Sequence, residues 1–151
     1  MSLQSLLSDG RIRPHGSSVR EVADLLRVVE RDLADASVTQ LSTDRRFATA
    51  YNAALLLATI VLHASGFRTA STGHHWATFH VLPEILGPDA QARADYLDGC
   101  RAKRNVSDYD RAGAISEQEL VELTDEVRGF QRDTPGMASH PSPRSPAMKE
   151  F

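Results

Sequence analysis

Apolar side chains recur every three or four residues in several stretches of the chain, which is the spacing that gives a helix one buried face. The first stretch runs from Ser18 to Ala36, and its stripe is Val22, Leu25, Leu26, Val29 and Leu33. Ser18 followed by Glu21 has the pattern of a capping box, in which a hydroxyl and a carboxylate satisfy the free backbone amides at a helix start. This stretch therefore predicts an amphipathic helix.

A second helix is predicted to begin at Thr43 or Asp44 and to stop at Gly66, where glycine can take the left-handed conformation. Its residues are apolar almost all round, so we expect it at the centre of a helical bundle. The most apolar part, Ala48 to Ala64, is shorter than the roughly 20 apolar residues that span a bilayer, and it contains polar side chains including Asn52 and His63. We interpret it as a core helix and expect no membrane association.

Two further segments are also predicted to be helical. In residues 69–88 a short helix carries Trp76, Phe79 and Leu82, and Pro83 is expected to break it or to begin a second turn. From Asp89 onward the spacing places Arg93, Tyr96, Leu97, Cys100 and Arg104 on one face. We expect this helix to end at Arg104 and a polar turn to follow it.

The last helix has the clearest start in the sequence. Ser116 and Glu119 form a capping box, and Ile115 and Leu120 occupy the flanking apolar positions that staple a helix start. The buried stripe of this helix is predicted to be Leu120, Leu123, Val127 and Phe130.

These elements predict an all-α protein, an antiparallel bundle of four to five helices, since no alternating strand pattern of useful length is found. We expect residues 1–17 to form an N-terminal extension and residues 18–132 to form the helical domain. Residues 133–151 are rich in proline and serine and have few side chains that could pack, so a disordered tail is predicted there.

Size, charge and cysteine content narrow the class of protein. A chain of 151 residues suits one domain with a real core. Its formal net charge of -3 argues against a broad nucleic-acid-binding surface, although a local basic groove stays open. The one cysteine, Cys100, cannot form an internal disulfide, and no secretory signal is visible at the N-terminus, so a cytoplasmic location is expected.

Residues 101–109, RAKRNVSDY, hold the strongest candidate for chemistry. Three cations, Arg101, Lys103 and Arg104, close the predicted helix, and a polar segment with an acid and a phenol follows. The simpler interpretation is that the cations stabilise the helix dipole and that the polar residues form an ordinary turn. The functional interpretation is a pocket for a phosphate group.

The order of the helices around this RNVSDY segment resembles the HEPN domain, named for nucleotide binding in higher eukaryotes and prokaryotes. The similarity covers residues 18–132 and is greatest to small prokaryotic HEPN proteins with an R-x-x-x-D-Y type motif. It includes the central RFATAYNAALLLATIVLHASGFRT helix, a short histidine-containing segment and the final SEQELVELTDEVRGF helix.

This resemblance implies a helical bundle that forms a homodimer, in which Arg-x4-6-His motifs of two protomers meet in a shared cleft. Many HEPN proteins are metal-independent endoribonucleases. Many are toxins that a partner encoded next to them neutralises, often a minimal nucleotidyltransferase. Other members serve in binding or assembly. The resemblance therefore implies RNA or a nucleotide as ligand, and no cofactor.

By position in the motif, Arg104 matches the family arginine and Asn105 the polar residue that follows it. Tyr109 stands where active members have histidine, and Asp108 precedes it. Arginine can hold a phosphate and stabilise charge that develops on it. Tyrosine, with an ordinary pKa of about 10, is a poor general base at neutral pH. The candidate catalytic residues are thus Arg104 and Tyr109, and the candidate binding residues are Arg101, Lys103, Asn105 and Asp108.

Another histidine could take the missing role. His74, His75 and His80 lie close together in sequence, and His63 ends the central helix. The simpler interpretation is that His74 and His75 are solvated and that His80 lies at a rim. The spacing within 74–80 does not favour a metal site, because it does not place imidazoles four residues apart on one helical face, and no metal is predicted. The phosphate-loop, dinucleotide, zinc-protease and serine-hydrolase motifs are absent from the sequence.

Two hypotheses of different classes follow. The first is a HEPN-like endoribonuclease of the toxin-antitoxin type, with Arg104 at its phosphate site. The second is a non-catalytic module that uses the same bundle to bind RNA, a nucleotide or a protein partner. The tyrosine at position 109 favours the second hypothesis, and the cations at 101–104 favour the first.

Overall fold

A computed structural model of the chain describes residues 2–70, 75–109 and 114–134, with the backbone alone for residues 106–109. The described part is mostly helical, as the sequence predicts. Its helices are α1 (Leu3–Ser8), α2 (Val19–Ala36), α3 (Thr43–Ala64), α4 (His75–His80), α5 (Leu82–Leu86), α6 (Gln91–Tyr109) and α7 (Glu117–Asp133). Two short strands, β1 (Ile12–Pro14) and β2 (Phe67–Thr69), and a 3-10 turn at Pro88–Ala90 complete it.

Helix α3 is the centre of the fold and packs against α2, α6 and α7. Its apolar residues face these neighbours on several sides, so its inner positions are almost free of solvent. It is the one helix in the described residues that is long and apolar enough to cross a membrane, and 56% of that apolar stretch is buried inside the protein. Helix α3 is thus a core helix of the bundle, as the sequence predicts.

The capping box predicted at the start of α7 is present, whereas the one predicted at the start of α2 is incomplete. Ser116 and Glu119 form the complete capping box at α7, and the predicted stripe of that helix is buried. In α2 the Ser18 hydroxyl accepts a hydrogen bond from the Glu21 amide. The Glu21 carboxylate does not return to the Ser18 backbone, because His15 and His63 bind it instead. The predicted capping box at α2 is therefore only half formed.

The N-terminal segment folds against the helices. Strand β1 pairs antiparallel with β2, with Ile12 opposite Thr69 and Pro14 opposite Phe67. These strands are three residues long, which is too short for an alternating pattern to show in the sequence. Leu6 and Ile12 join Leu62 and Val81 in a second apolar cluster. The described residues 2–17, expected to be an extension, are thus packed onto the end of α3.

Helix α6 does not end where the sequence predicts. It continues past Arg104 to Tyr109, so the polar turn expected there is helical backbone and the three cations lie inside the helix. The break expected near Pro83 is confirmed: α4 ends at His80, and Pro83 lies in the first turn of α5. Helix α7 extends to Asp133, just beyond the predicted domain boundary, and residues 135–151 of the predicted tail lie outside the described residues.

Candidate functional site

Tyr51 lies at the point where α3 faces both α4 and α6, and it organises the candidate site. Its ring is fully buried and meets Phe79 edge to face at 5.8 Å between centroids. Burial raises the pKa of its hydroxyl above the usual value, even though Arg104 and Arg101 act in the opposite direction. The hydroxyl therefore stays protonated at neutral pH and acts as a neutral hydrogen-bonding group.

His75, the first residue of α4, is the hydrogen-bond partner of that hydroxyl. Its Nδ1 lies 3.0 Å from the Tyr51 Oη. Partial burial lowers the pKa of His75 below its usual value, and the positive charges of Arg104 and Arg101 lower it further. At neutral pH the imidazole is thus neutral and able to accept a proton. Its Nε2 makes no hydrogen bond to any other described residue.

Arg104 reaches the same tyrosine from α6. Its guanidinium carbon lies 5.4 Å from the centroid of the Tyr51 ring, in the arrangement of a cation-π contact. The side chain is half-buried, because α6 packs on α3 along this face. Arg104 and His75 thus contact one buried tyrosine from two different helices, a relationship that local sequence patterns do not contain.

The neighbouring cations have acidic partners. Arg101 binds Asp98, one turn earlier in α6, with 2.8 Å between Nε and Oδ1. Lys103 points to α7, where its Nζ lies 2.7 Å from Glu119 Oε2. These ion pairs raise the pKa of Arg101 and Lys103 through hydrogen bonds to the carboxylates. Lys103 therefore joins α6 to α7. It lies apart from the group formed by Tyr51, His75 and Arg104, which we call the tyrosine site.

The other predicted site residues are only partly described. Asn105 is exposed on α6. Asp108 and Tyr109 belong to the last turn of α6, and their side chains lie outside the described part. His74 also lies outside the described residues. His80 stacks on Trp76 with 4.4 Å between ring centroids, and its Nε2 is 3.8 Å from Asp98 Oδ2.

A second polar cluster lies at the C-terminal end of α3. His63 is in the last turn of α3, Glu21 is in the first turn of α2, and His15 follows β1. One carboxylate oxygen, Glu21 Oε1, lies 2.7 Å from His63 Nδ1 and 2.9 Å from His15 Nε2. His63 could be singled out from the sequence, but His15 and Glu21 could not be recognised as its neighbours, because the three residues come from distant parts of the chain.

The groove between α6 and α7 is a weaker candidate for binding a phosphate. It has a volume of about 610 Å³. Its walls carry four carboxylates, from Glu122, Asp125, Glu126 and Asp133, against the two guanidinium groups of Arg93 and Arg132. The groove therefore has a net negative charge, which repels an anion.

The tyrosine site combines a cation, a neutral imidazole and a protonated phenol. A guanidinium can bind phosphate oxygens through its fork of donors, and a neutral imidazole beside it can accept a proton. Comparisons of this chain with protein-family models, characterised proteins and solved structures give no significant match.

Proposed function

We propose that this protein is a HEPN-like endoribonuclease whose phosphate-binding residue is Arg104 and whose proton acceptor is His75. The observation that supports this proposal is the shared contact with Tyr51. Nδ1 of His75 hydrogen-bonds its hydroxyl, and the guanidinium of Arg104 lies over its ring. In this arrangement His75 supplies the proton-handling group that the sequence motif lacks at position 109.

In the proposed reaction Arg104 binds the scissile phosphate. Cleavage of RNA through its own 2′-hydroxyl adds negative charge to the phosphate oxygens in the transition state. A guanidinium in a half-buried site stabilises that charge more strongly than it does in water. Because the cation-π contact with Tyr51 holds the planar group in one orientation, little further ordering is needed when the phosphate binds.

His75 accepts the proton of the attacking 2′-hydroxyl. In the tautomer whose Nδ1 carries the proton, Nδ1 donates to the Tyr51 oxygen and Nε2 has a free lone pair. The 2′-oxygen then attacks phosphorus, and the bond to the 5′-oxygen breaks. The leaving 5′-oxygen takes a proton from water, so the products are a 2′,3′-cyclic phosphate and a 5′-hydroxyl. His75 then releases its proton to solvent, which balances the proton that water gave up. The lowered pKa of His75 keeps the ring neutral before the reaction.

A cleavage assay on a fluorescently labelled single-stranded RNA, in EDTA, tests this proposal. We expect the wild-type chain to cut the RNA, and His75→Gln to slow cutting by about 10²- to 10⁴-fold, the usual contribution of a general base. Arg104→Ala should slow it by about 10²- to 10³-fold, the usual effect of removing one group that stabilises transition-state charge. Arg104→Lys should recover only part of the rate, because a point charge does not replace a fork of donors.

Matched variants separate these roles from general effects of charge or histidine content. Arg128→Ala removes an exposed arginine on α7, and His80→Gln removes the other histidine of α4. Both should retain the wild-type rate. Cleavage that survives His75→Gln and Arg104→Ala in folded protein would show that the reaction occurs elsewhere.

The second candidate function is a binding or assembly module without catalysis. Two observations favour it: Tyr109 replaces the family histidine, and Arg101 and Lys103 are already paired with carboxylates. This function predicts that the RNA stays intact and that Arg104→Ala weakens its binding. Incubation of the same RNA with the wild-type chain distinguishes the two, since only the catalytic function shortens the RNA. Fluorescence anisotropy then measures the affinity that Arg104→Ala loses.

We further propose that the protein acts in the cytoplasm as a homodimer and that α6 lies in the dimer interface, bringing two Arg104 sites near one two-fold axis. A nucleotidyltransferase-type protein encoded nearby is the proposed partner. These proposals rest on the resemblance of residues 18–132 to HEPN domains. Sedimentation at micromolar concentration tests the dimer, and co-purification with the product of the neighbouring gene tests the partner.

A further inference from the structure

Three side chains with metal-binding atoms come together where the N-terminal segment meets the ends of α2 and α3. The residues are His15, Glu21 and His63, and each contributes one possible ligand atom, a ring nitrogen from the histidines and a carboxylate oxygen from the glutamate. These three atoms lie within 4.8 Å of one another. The two imidazole rings have centroids 4.4 Å apart and are tilted by 46°. Since each residue comes from a different element, the fold itself must bring the group together.

The spacing of these atoms is close to that of a zinc site. Zinc holds nitrogen and oxygen ligands at about 2.0–2.2 Å in a tetrahedron, which places ligand atoms about 3.3 Å from one another. The nitrogen-oxygen distances of 2.7 Å and 2.9 Å need to widen by a few tenths of an ångström, and the two imidazole nitrogens, which lie within 4.8 Å of each other, need to adopt the same spacing. Rotation about the side-chain bonds of the three residues can supply such changes without moving a helix.

We propose that His15, Glu21 and His63 bind one divalent zinc-type transition-metal ion. Two imidazoles and one carboxylate form a ligand set that prefers zinc and its neighbours to magnesium or calcium, which favour ligand sets made of oxygen. Three protein ligands leave a fourth tetrahedral position for water. The three side chains are partly exposed, with 18–34% of their surface accessible, so an ion and a water molecule can reach them from solvent.

The surroundings of the site favour a structural ion. The backbone amide of His15 donates to the carbonyl oxygen of Gly66, at 2.8 Å, so this histidine is fixed at the end of the short sheet. Glu21 is fixed by the first turn of α2, where its amide donates to Ser18.

The bound ion would connect the N-terminal segment to the helical core. His15 belongs to the segment that contains β1, whereas Glu21 and His63 belong to α2 and α3. Because the three ligands are brought together only in the folded chain, an ion that binds them stabilises the native state. The site is also separate from the tyrosine site, since His63 lies twelve residues after Tyr51, or about 18 Å along α3.

Titration of the full-length chain with zinc, after treatment with EDTA and dialysis, tests the proposal without any RNA. Calorimetry should give one zinc ion per chain and no comparable binding of magnesium. His15→Ala and His63→Ala should each weaken zinc binding by at least 10- to 100-fold, as even residues that only support metal ligands have effects of that size. Glu21→Gln keeps the shape of the side chain, removes its charge and should also weaken binding.

Two further measurements keep the test valid if a variant is poorly folded. Cobalt added to wild-type protein should give the visible absorption of a four-coordinate ion. Zinc should also shift the ring signals of His15 and His63 in nuclear magnetic resonance spectra of the intact chain. His80→Ala and His75→Ala are the matched histidine controls and should bind zinc like the wild type.

Two results would overturn the proposed zinc site. Zinc affinity that is unchanged in folded His15→Ala and His63→Ala would show that the ion binds elsewhere. Absence of zinc binding to the wild type at micromolar concentrations would show that the cluster is only a pair of histidines hydrogen-bonded to Glu21. Neither result depends on whether the protein cleaves RNA.

Discussion

The hydroxyl of Tyr51 and Nδ1 of His75 lie 3.0 Å apart, although 24 residues separate them in the chain. The tyrosine belongs to the core helix α3, and the histidine begins the short helix α4. The bond therefore fixes the start of α4 against the buried centre of the protein. It also orients the imidazole, whose pKa the charges of Arg104 and Arg101 lower.

Tyr51→Phe is expected to remove this bond with little change in packing. The loss of one hydrogen bond should lower the free energy of unfolding by about 0.5–1.5 kcal/mol. Tyr51→Ala should lower it by about 3–5 kcal/mol, because a fully buried aromatic ring leaves a cavity. Urea denaturation of both variants measures the difference. Equal losses in the two variants would mean that the ring itself contributes little to the core.

The ring of His75 is expected to titrate below the ordinary histidine value of about 6.5. At pH values between the lowered pKa and 6.5, the unfolded chain then binds more protons at this histidine than the folded chain does. The contribution of this histidine to the free energy of unfolding is therefore complete above pH 6.5 and is lost as the pH falls through the lowered pKa. Titration of the His75 ring signals by nuclear magnetic resonance measures this pKa directly.

Arg104→Gln provides the matched test of that shift. Removing the guanidinium charge should raise the pKa of His75 toward its ordinary value, because a like charge no longer opposes protonation. Arg128→Gln, on an exposed position of α7, should leave the pKa unchanged. A His75 pKa at or above 6.5 in the wild type would contradict both the burial of the ring and the proximity of the two arginines.

Cys100 is expected to resist alkylation in the folded protein. Its side chain is 2% exposed, and burial raises the pKa of the thiol to about 11, with Tyr96 as hydrogen-bond partner. Since the thiolate is the reactive form, iodoacetamide at pH 8 should label the native chain far more slowly than the chain in urea. Mass spectrometry of timed samples measures both rates. Equal rates in the two conditions would show that α6 is open at Cys100.

Removal of residues 1–17 is expected to destabilise the protein, whereas removal of residues 135–151 is not. The first truncation deletes the buried side chains of Leu6 and Ile12 and exposes Leu62 and Val81. Burial of two such side chains contributes at most about 3–6 kcal/mol. The second truncation removes a proline-rich segment with few side chains that could pack. Thermal unfolding of both truncated chains checks this difference.

The sequence by itself predicted the elements whose information is local. A stripe of apolar residues and a neighbouring cap are both contained within one stretch of chain, so the positions of α2, α3 and α7 could be predicted closely. The same logic placed Leu97 and Cys100 on the inner face of α6, and both are buried. It failed at the end of α6, where a polar composition was taken to indicate a turn and the helix instead continues to Tyr109.

Only the tertiary structure decided which distant residues meet. The sequence predicted that the Glu21 carboxylate would bind the backbone of its own helix. In the structure it binds two imidazoles instead, those of His15, which follows β1, and His63, near the end of α3. Likewise, His75 and Arg104 come together because α4 and α6 both pack on Tyr51. The physical reason is that helix formation depends on spacings of three and four residues, whereas these contacts depend on how whole helices pack, which no short stretch of sequence encodes.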